Sequence, residues 1–490
     1  MTAVSEVLTP TILMFMVMGV AIGILAGSLP GITDPMVLGL AIPFTFGMQP
    51  LPALLLLLGI HFGALYGGAI TAILVNTPGT PASAATALDG YPLTRAGQPR
   101  KALQMSVLAS FTGAIVSCIA LITLTPLLAT VALRFSPAEY FALGVFGLSV
   151  VAGVAGSSLS RGFFVATLGV FLSMIGTDPM SGTERFTFGI PQLIDGVNLI
   201  AALIGLFAIS EVLNQFLHVG HSRQSLDKLN SGSPLNLREI RTSGWTMIKS
   251  GAIGSFIGSL PGTGAVISSF LCYNEAMRKS KTPERFGKGS LDGVAAASAG
   301  AKGTESAALI PLLTFGIPGD VGSAILLGAM ILHGVRVGPE LFMKSGTLVA
   351  SLFFGIAILA LVVLVLGWYG SRLFANVVKI PPSRLFPVIL VLIGTGTYTL
   401  SNDMFNVWVA AGFGVLGFLM QKTGFPIPPL LLGLILGPII EKNFLLAMAA
   451  TGGDLPAVIS RPLTLLILVF SGISLWFSVG IQKKIQNKKS

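Results

Sequence analysis

Residues 346 to 368, GTLVASLFFGIAILALVVLVLGW, run for 23 positions without one charged side chain. A bilayer core about 30 Å thick is crossed by roughly 20 apolar residues in an α-helix, so this run is a membrane span by composition alone. Residues 11 to 29 and 462 to 480 repeat the pattern, and further apolar runs follow, which makes the chain polytopic. Barrel strands alternate polar and apolar side chains over about ten residues, whereas these runs are apolar on every face. In lipid every backbone amide must be paired internally, and that selects helices. The expected fold is all-α, with about 12 to 14 apolar segments, some of them re-entrant.

Of 490 residues 53% are hydrophobic and 10% charged, against about 25% charged in soluble domains. The formal net charge of +10 would point to nucleic acid in a soluble protein; here the excess lies in short loops and the tail, as the positive-inside rule requires, and no nucleic-acid role follows. Loops 91 to 101 (YPLTRAGQPRK), 220 to 249, 278 to 288 (RKSKTPERFGK), 370 to 384 and the tail QKKIQNKKS are expected in the cytoplasm. Loops 47 to 52, 177 to 184 and 451 to 457 lack Lys and Arg and are expected outside. That threading gives an outer N-terminus and a cytoplasmic C-terminus. The segment around Arg336 and Lys344 resists it, being mildly basic on the outer side with Glu340 only partly offsetting it. The opening MTAVSEVLTP has no basic residue ahead of the first apolar run, unlike a cleaved signal peptide, and reads as the start of the mature chain. Cys118 and Cys272 match no metal or redox spacing and read as small membrane-packed hydrophobes.

The pentapeptide GSLPG breaks two apolar runs, at Gly27 to Gly31 and at Gly258 to Gly262, 231 residues apart. The likeness extends from GVAIGILAGSLPG to SGAIGSFIGSLPG. In each half a second Pro-Gly pair follows: Pro78-Gly79 and Pro318-Gly319 lie 240 residues apart, with Ser83 and Ser323 in register. Two breaks per half in the same order argue for duplication. The loop after the first break is uncharged in copy one and strongly basic in copy two, so equivalent loops fall on opposite sides and the halves, 1–231 and 232–490, are expected to be inverted.

Irregular backbone survives at membrane depth only where protein covers it or water reaches it. Each break exposes the N-terminus of one half-helix, which attracts anions, and the C-terminus of another, whose carbonyls suit a cation such as sodium. Inverted repeats with discontinuous helices point to a secondary transporter's binding site. The expected substrate residues are Gly31; Asn76, Thr77, Pro78, Gly79 and Thr80; Ser259, Pro261, Gly262, Thr263 and Gly264; and Gly319. Ser28, Asp34, Ser83 and Asp320 are the candidate sodium ligands, with helix capping as the plainer reading of the two aspartates. Lys302 and Glu305 are charges inside an apolar segment, and Lys302 has two readings: a partner for a substrate carboxylate, or an i,i+3 partner for Glu305. His61, His218, His221 and His333 show no ligand spacing and receive no role.

The stretches NTPGTPASAATALDGYPLTRAGQPRKAL (76 to 103), GSLPGTGAVISSFLCYNEAMRKSKTPERFGKGSLDGVAA (258 to 296) and ALIPLLTFGIPGD (308 to 320) closely resemble the large membrane subunit of the tripartite tricarboxylate transporters, the TctA-like proteins. The resemblance covers nearly the whole chain. It implies a bacterial inner-membrane uptake system driven by an ion gradient, with a small membrane subunit and a periplasmic binding protein that delivers a tri- or dicarboxylate. It also implies an elevator-type transporter; no cofactor is expected, and the expected coupling ion, from the carbonyls at the breaks, is sodium. Where many such proteins carry an acidic residue and paired asparagines ahead of GGALIP, this chain has SAGAKGTES (298 to 306) and then AALIP, which brings Lys302 and Glu305 near the expected path. An intramembrane enzyme finds no support, since HExxH, GxSxG and a P-loop are all missing. A standalone organic-anion transporter or exporter is not separated from an importer by sequence.

Overall fold

The computed structural model describes residues 2–29, 31–154, 158–217, 232–262, 264–377, 386–400 and 402–486. Of the positions singled out above, Pro30, Thr263, His218, His221 and the boundary at 231 lie outside them.

The first half contains α1 (Pro10–Gly27), α2 (Asp34–Ala41), α3 (Pro50–Val75), α4 (Ala84–Arg95), α5 (Pro99–Ala132), α6 (Pro137–Val154), α7 (Leu159–Ser173) and α8 (Leu199–Phe216), which passes through a π-helical turn at Ile204–Ile209. The second contains α9 (Leu237–Gly258), α10 (Gly264–Lys279), α11 (Leu291–Ala307), α12 (Leu309–Phe315), α13 (Val321–Leu332), α14 (Gly346–Val377), α15 (Phe386–Thr399), α16 (Met404–Thr423), α17 (Ile427–Ala450) and α18 (Pro462–Gln486). Proline opens α1, α3 and α5, where its fixed φ suits the first turn and its missing N–H has no helical partner to lose. Among the described residues seven helices are long and apolar enough to cross a membrane, and six shorter apolar ones accompany them. One two-stranded antiparallel ribbon, Gly176–Thr177 against Glu184–Arg185, interrupts the helices in the loop expected outside. The protein is an all-α polytopic membrane protein.

Two close helix pairs form the centre. Along α1, Gly19, Gly23 and Gly27 face α3: a Cβ built at Gly23 would strike the carbonyl oxygen of Ile60, and one at Gly27 that of Ala64. Along α9, a Cβ at Gly254 would strike the carbonyl oxygen of Gly300, and one at Gly258 that of Thr304. Small residues four apart let membrane helices touch backbone to backbone, where dispersion and Cα–H contacts replace the hydrophobic force that lipid removes. Gly254 and Gly258 stand 231 positions after Gly23 and Gly27, and Gly300 and Thr304 stand 240 after Ile60 and Ala64, so the two crossings follow the register of the breaks. Helix α3 is buried along almost its entire length.

The sequence halves interlock. Helix α5 packs on α9 and α11, and α14 packs on α3 and α5. Three basic loops meet on one side: Lys101 Nζ donates to Glu239 at 2.7 Å, Leu235 N to Gln104 Oε1 at 2.8 Å, and Gly289 N and Ser290 N to Asp89 Oδ1 at 2.8 Å each. Toward the surface the helices present exposed apolar side chains, among them Leu127, Phe164 and Trp408, as helices facing hydrocarbon must. Cys118 and Cys272 are buried free thiols.

Candidate functional site

The four breaks come together in pairs. Helix α3 ends at Asn76, which takes the left-handed conformation (φ 55°) that releases a helix; Gly79 N then returns to Gly68 O at 3.3 Å. A Cβ at Gly79 would collide with the carbonyl of Gly27, so the first and second breaks touch. In the other half α12 ends at Gly316 (φ 72°), and Gly262 N donates to Gly319 O at 2.7 Å, so the third and fourth breaks touch. The turn Pro81–Ser83 after the second break packs against α10, and α13 after the fourth packs against α2, which carries each half's second break to the helix that follows the other half's first.

The second and fourth breaks are built alike. Thr80 and Asp320 are the N-caps, Ser83 and Ser323 the third residues beyond them. Ser83 Oγ donates to Thr80 O at 2.7 Å and Ser323 Oγ to Asp320 O at 2.9 Å. Asp320 Oδ1 accepts from Ser323 N at 2.8 Å, a capping box, and the capping reading of this aspartate is the one the geometry displays. Losing such a cap costs about 1 kcal/mol, so Asp320→Ala is expected to lower the thermal midpoint of the purified protein by a small margin while Asp320→Ser preserves it. Thr80 Oγ1 is buried without a hydrogen-bond partner among the described residues.

The candidate substrate residues divide by exposure. Asn76, Thr77 and Pro78 are open to the surface, whereas Gly79, Thr80, Ser83 and Gly319 are buried. Ser259 is half-buried and donates to Phe256 O at 2.7 Å; Pro261 is buried, and Gly262 and Gly264 have the positive φ values, 81° and 64°, that place glycine at this turn. Gly31 (φ 87°) is held by the side-chain amide of Gln215, which reaches its carbonyl. Ser28 is buried and spends its hydroxyl on Ile24 O at 2.6 Å.

Between the halves lies a cluster of four ionisable side chains. Asp34, on the first turn of α2, has both oxygens against His61 Nδ1, at 2.9 and 2.8 Å. His61 Nε2 lies 3.5 Å from Glu305 Oε1, so each ring nitrogen faces a carboxylate. Glu305 pairs with Lys302 one turn back on α11, as the i,i+3 reading expected. Lys302 Nζ also donates to Phe62 O at 2.9 Å and sits 4.0 Å above the Phe62 ring. Lys302 and Glu305 are 1% and 2% exposed, which makes this an intramembrane charge network and not a surface ion pair. A Cβ at Gly322 would meet the His61 ring, so α13 closes the cluster. His61 is the residue that sequence spacing missed. Its partners lie 27 and 244 positions away, and the one available signal was its place beside Phe62, the position 240 residues before Lys302.

An α-helical polytopic membrane protein with paired interior helix breaks around a buried charge cluster has the build of a membrane transporter. The sequence profile of the tripartite tricarboxylate transporter TctA family matches residues 13–432. An uncharacterized 52.8 kDa protein in the TAR-I ttuC′ 3′ region of Agrobacterium vitis is 36% identical over 465 residues, 94% of this chain and 92% of that one. A second uncharacterized protein of Agrobacterium vitis, in the TAR-II ttuC′ 3′ region, is 35% identical over 219 residues, 44% of this chain and 89% of its own length. No solved structure matches. The chain belongs to the TctA family of tripartite tricarboxylate transporters.

Proposed function

We propose that the chain forms the translocation path of a cation-driven importer, working with a small membrane subunit and a periplasmic protein that delivers a di- or tricarboxylate. The observation that carries this reading is the pairing of the four helix breaks, first against second and third against fourth. Helix N-termini begin at Thr80 and Asp320, and their positive dipole ends are the feature that would stabilise a carboxylate. Asn76 and Thr77, open beside the buried Gly79, are the side chains placed to receive substrate oxygens first. The recurrence of glycine crossings, left-handed helix ends and caps at the 231- and 240-residue offsets favours two inverted copies related by an axis in the membrane plane, the build that alternating access uses. The meeting of the basic loops on one side favours a cytoplasmic placement for that side, in the inner membrane.

Sodium is the coupling ion this reading favours, held by carbonyls at the breaks and by hydroxyls such as Ser28 and Ser83. Reconstitution with both partner components tests it: radiolabelled di- and tricarboxylates are expected to accumulate against their gradient only under an inward sodium gradient. Accumulation that ignores both sodium and proton gradients would remove the secondary-transport reading.

A further inference from the structure

The surroundings of Lys302 Nζ are those of a bound monovalent cation. A carboxylate (Glu305), a backbone carbonyl (Phe62 O, 2.9 Å) and an aromatic face (Phe62, 4.0 Å) converge on one buried point from two helices that belong to different halves. Each of the three is a partner for positive charge: an anion, a carbonyl dipole whose second lone pair is free within a helix, and a ring quadrupole. Phe62 and Lys302 also stand 240 positions apart, the offset that relates the caps at Thr80 and Asp320 and the helix ends at Asn76 and Gly316. In the two-copy reading, equivalent positions therefore touch each other, where an axis between the copies would pass. His61 and Asp34 complete the ring of charge, and among the described residues Glu305 has no hydrogen-bond donor besides the groups that pair with it electrostatically.

We infer that Lys302 is a tethered cation: its ammonium fills a monovalent-cation site made by Glu305 and the Phe62 carbonyl and ring, so that this chain needs no exchangeable ion at Glu305. The inference rests on the transporter reading for its meaning in coupling, since it makes the number of driving cations one fewer than the buried carboxylates would otherwise demand. Its physical content is independent of transport. Removing the ammonium leaves an anion and a carbonyl facing a space of lysine-head size, and a small alkali cation is the ligand of matching charge and hardness.

The experiment compares thermal midpoints of detergent-purified protein in sodium chloride and in choline chloride at equal ionic strength. The wild type is expected to respond equally to both salts through this site. Lys302→Gln is expected to gain a saturable, sodium-specific rise of about 3 °C or more. The double variant Lys302→Gln/Glu305→Gln, with neither charge, is expected to lose that rise. A sodium response in Lys302→Gln no larger than that of the wild type, or an equal excess over the wild type in the double variant, overturns the inference. If Lys302→Gln is recovered only from sodium-containing buffer, the inference stands. If it is lost in both salts while the double variant is stable, no outside cation replaces the ammonium and the inference fails. Because no substrate or partner component is used, this result is separate from that of the transport assay.

Discussion

Replacing His61 by alanine is expected to cost about 3–5 kcal/mol of stability, the range for stripping one partner from a buried ionic group. The reason is geometric. One imidazole faces both oxygens of Asp34 through Nδ1 and Glu305 through Nε2, and all three residues are buried. Alanine leaves two buried carboxylates, with Lys302 as the one cation among the described residues beside Glu305. Thermal unfolding in detergent measures the loss. His333→Ala is the internal control: its ring is half-buried and bonded to Thr45 Oγ1 at 2.9 Å, so its removal is expected to cost about 1 kcal/mol. Combining His61→Ala with Asp34→Asn is expected to recover part of the loss, because the neutral amide no longer needs a counter-charge. Equal effects of His61→Ala and His333→Ala would show that the cluster does not hold the halves together.

Much of this architecture was legible in the sequence because lipid imposes simple rules. Apolar runs of 20 residues give helices, and Pro-Gly pairs inside them give breaks that must be covered, so α1, α14, α18 and the breaks at Pro78-Gly79 and Pro318-Gly319 were anticipated from residue types alone, with capping as one of two readings of Asp320. The Lys302–Glu305 pairing was one of two readings that spacing on one helix left open. What stayed hidden depends on contacts across the chain. His61 reads as one more residue of a Leu-rich helix until α2 and α11 close on it, and the grip of Gln215 on Gly31 joins residues 184 positions apart. The ribbon at Gly176–Thr177 and Glu184–Arg185 is too short for any periodic pattern; Arg185 holds it down through Asp178 at 3.2 Å and Glu441 at 2.6 Å. The mildly basic segment at Arg336 and Lys344 is partly neutralised locally. Lys344 Nζ donates to Glu340 at 2.7 Å, and the same lysine holds the Glu340 carboxyl below its ordinary range.

The glycine crossings set the second large effect. Gly254 lies where any Cβ strikes the carbonyl oxygen of Gly300, and that obstacle is backbone inside a helix, which cannot rotate away as a side chain would. Gly254→Leu must push α9 off α11 along its length, and the expected cost is at or beyond the upper end of the 1–3 kcal/mol range typical of overpacking, about 3 kcal/mol, read as loss of monodisperse protein and a lowered thermal midpoint. Gly23→Leu is expected to behave in the same way on α1 against Ile60 of α3, because the obstacle has the same chemistry at the matching position. Gly244 on α9 reverses the sign: nothing lies within 4 Å of a Cβ there, so Gly244→Ala trades a flexible helical residue for a good helix former and is expected to stabilise by up to about 1 kcal/mol. The contrast between two glycines on one helix separates crossing geometry from helix propensity. If Gly254→Ala and Gly244→Ala shifted the midpoint in the same direction, the close approach of α9 and α11 would not be what holds the third and fourth breaks together. Both of those breaks are reached through this pair, Gly262 from the end of α9 and Gly319 from the end of α11 and α12. A crossing that slides would therefore separate Gly262 N from Gly319 O and part the third and fourth breaks before it lost any helix.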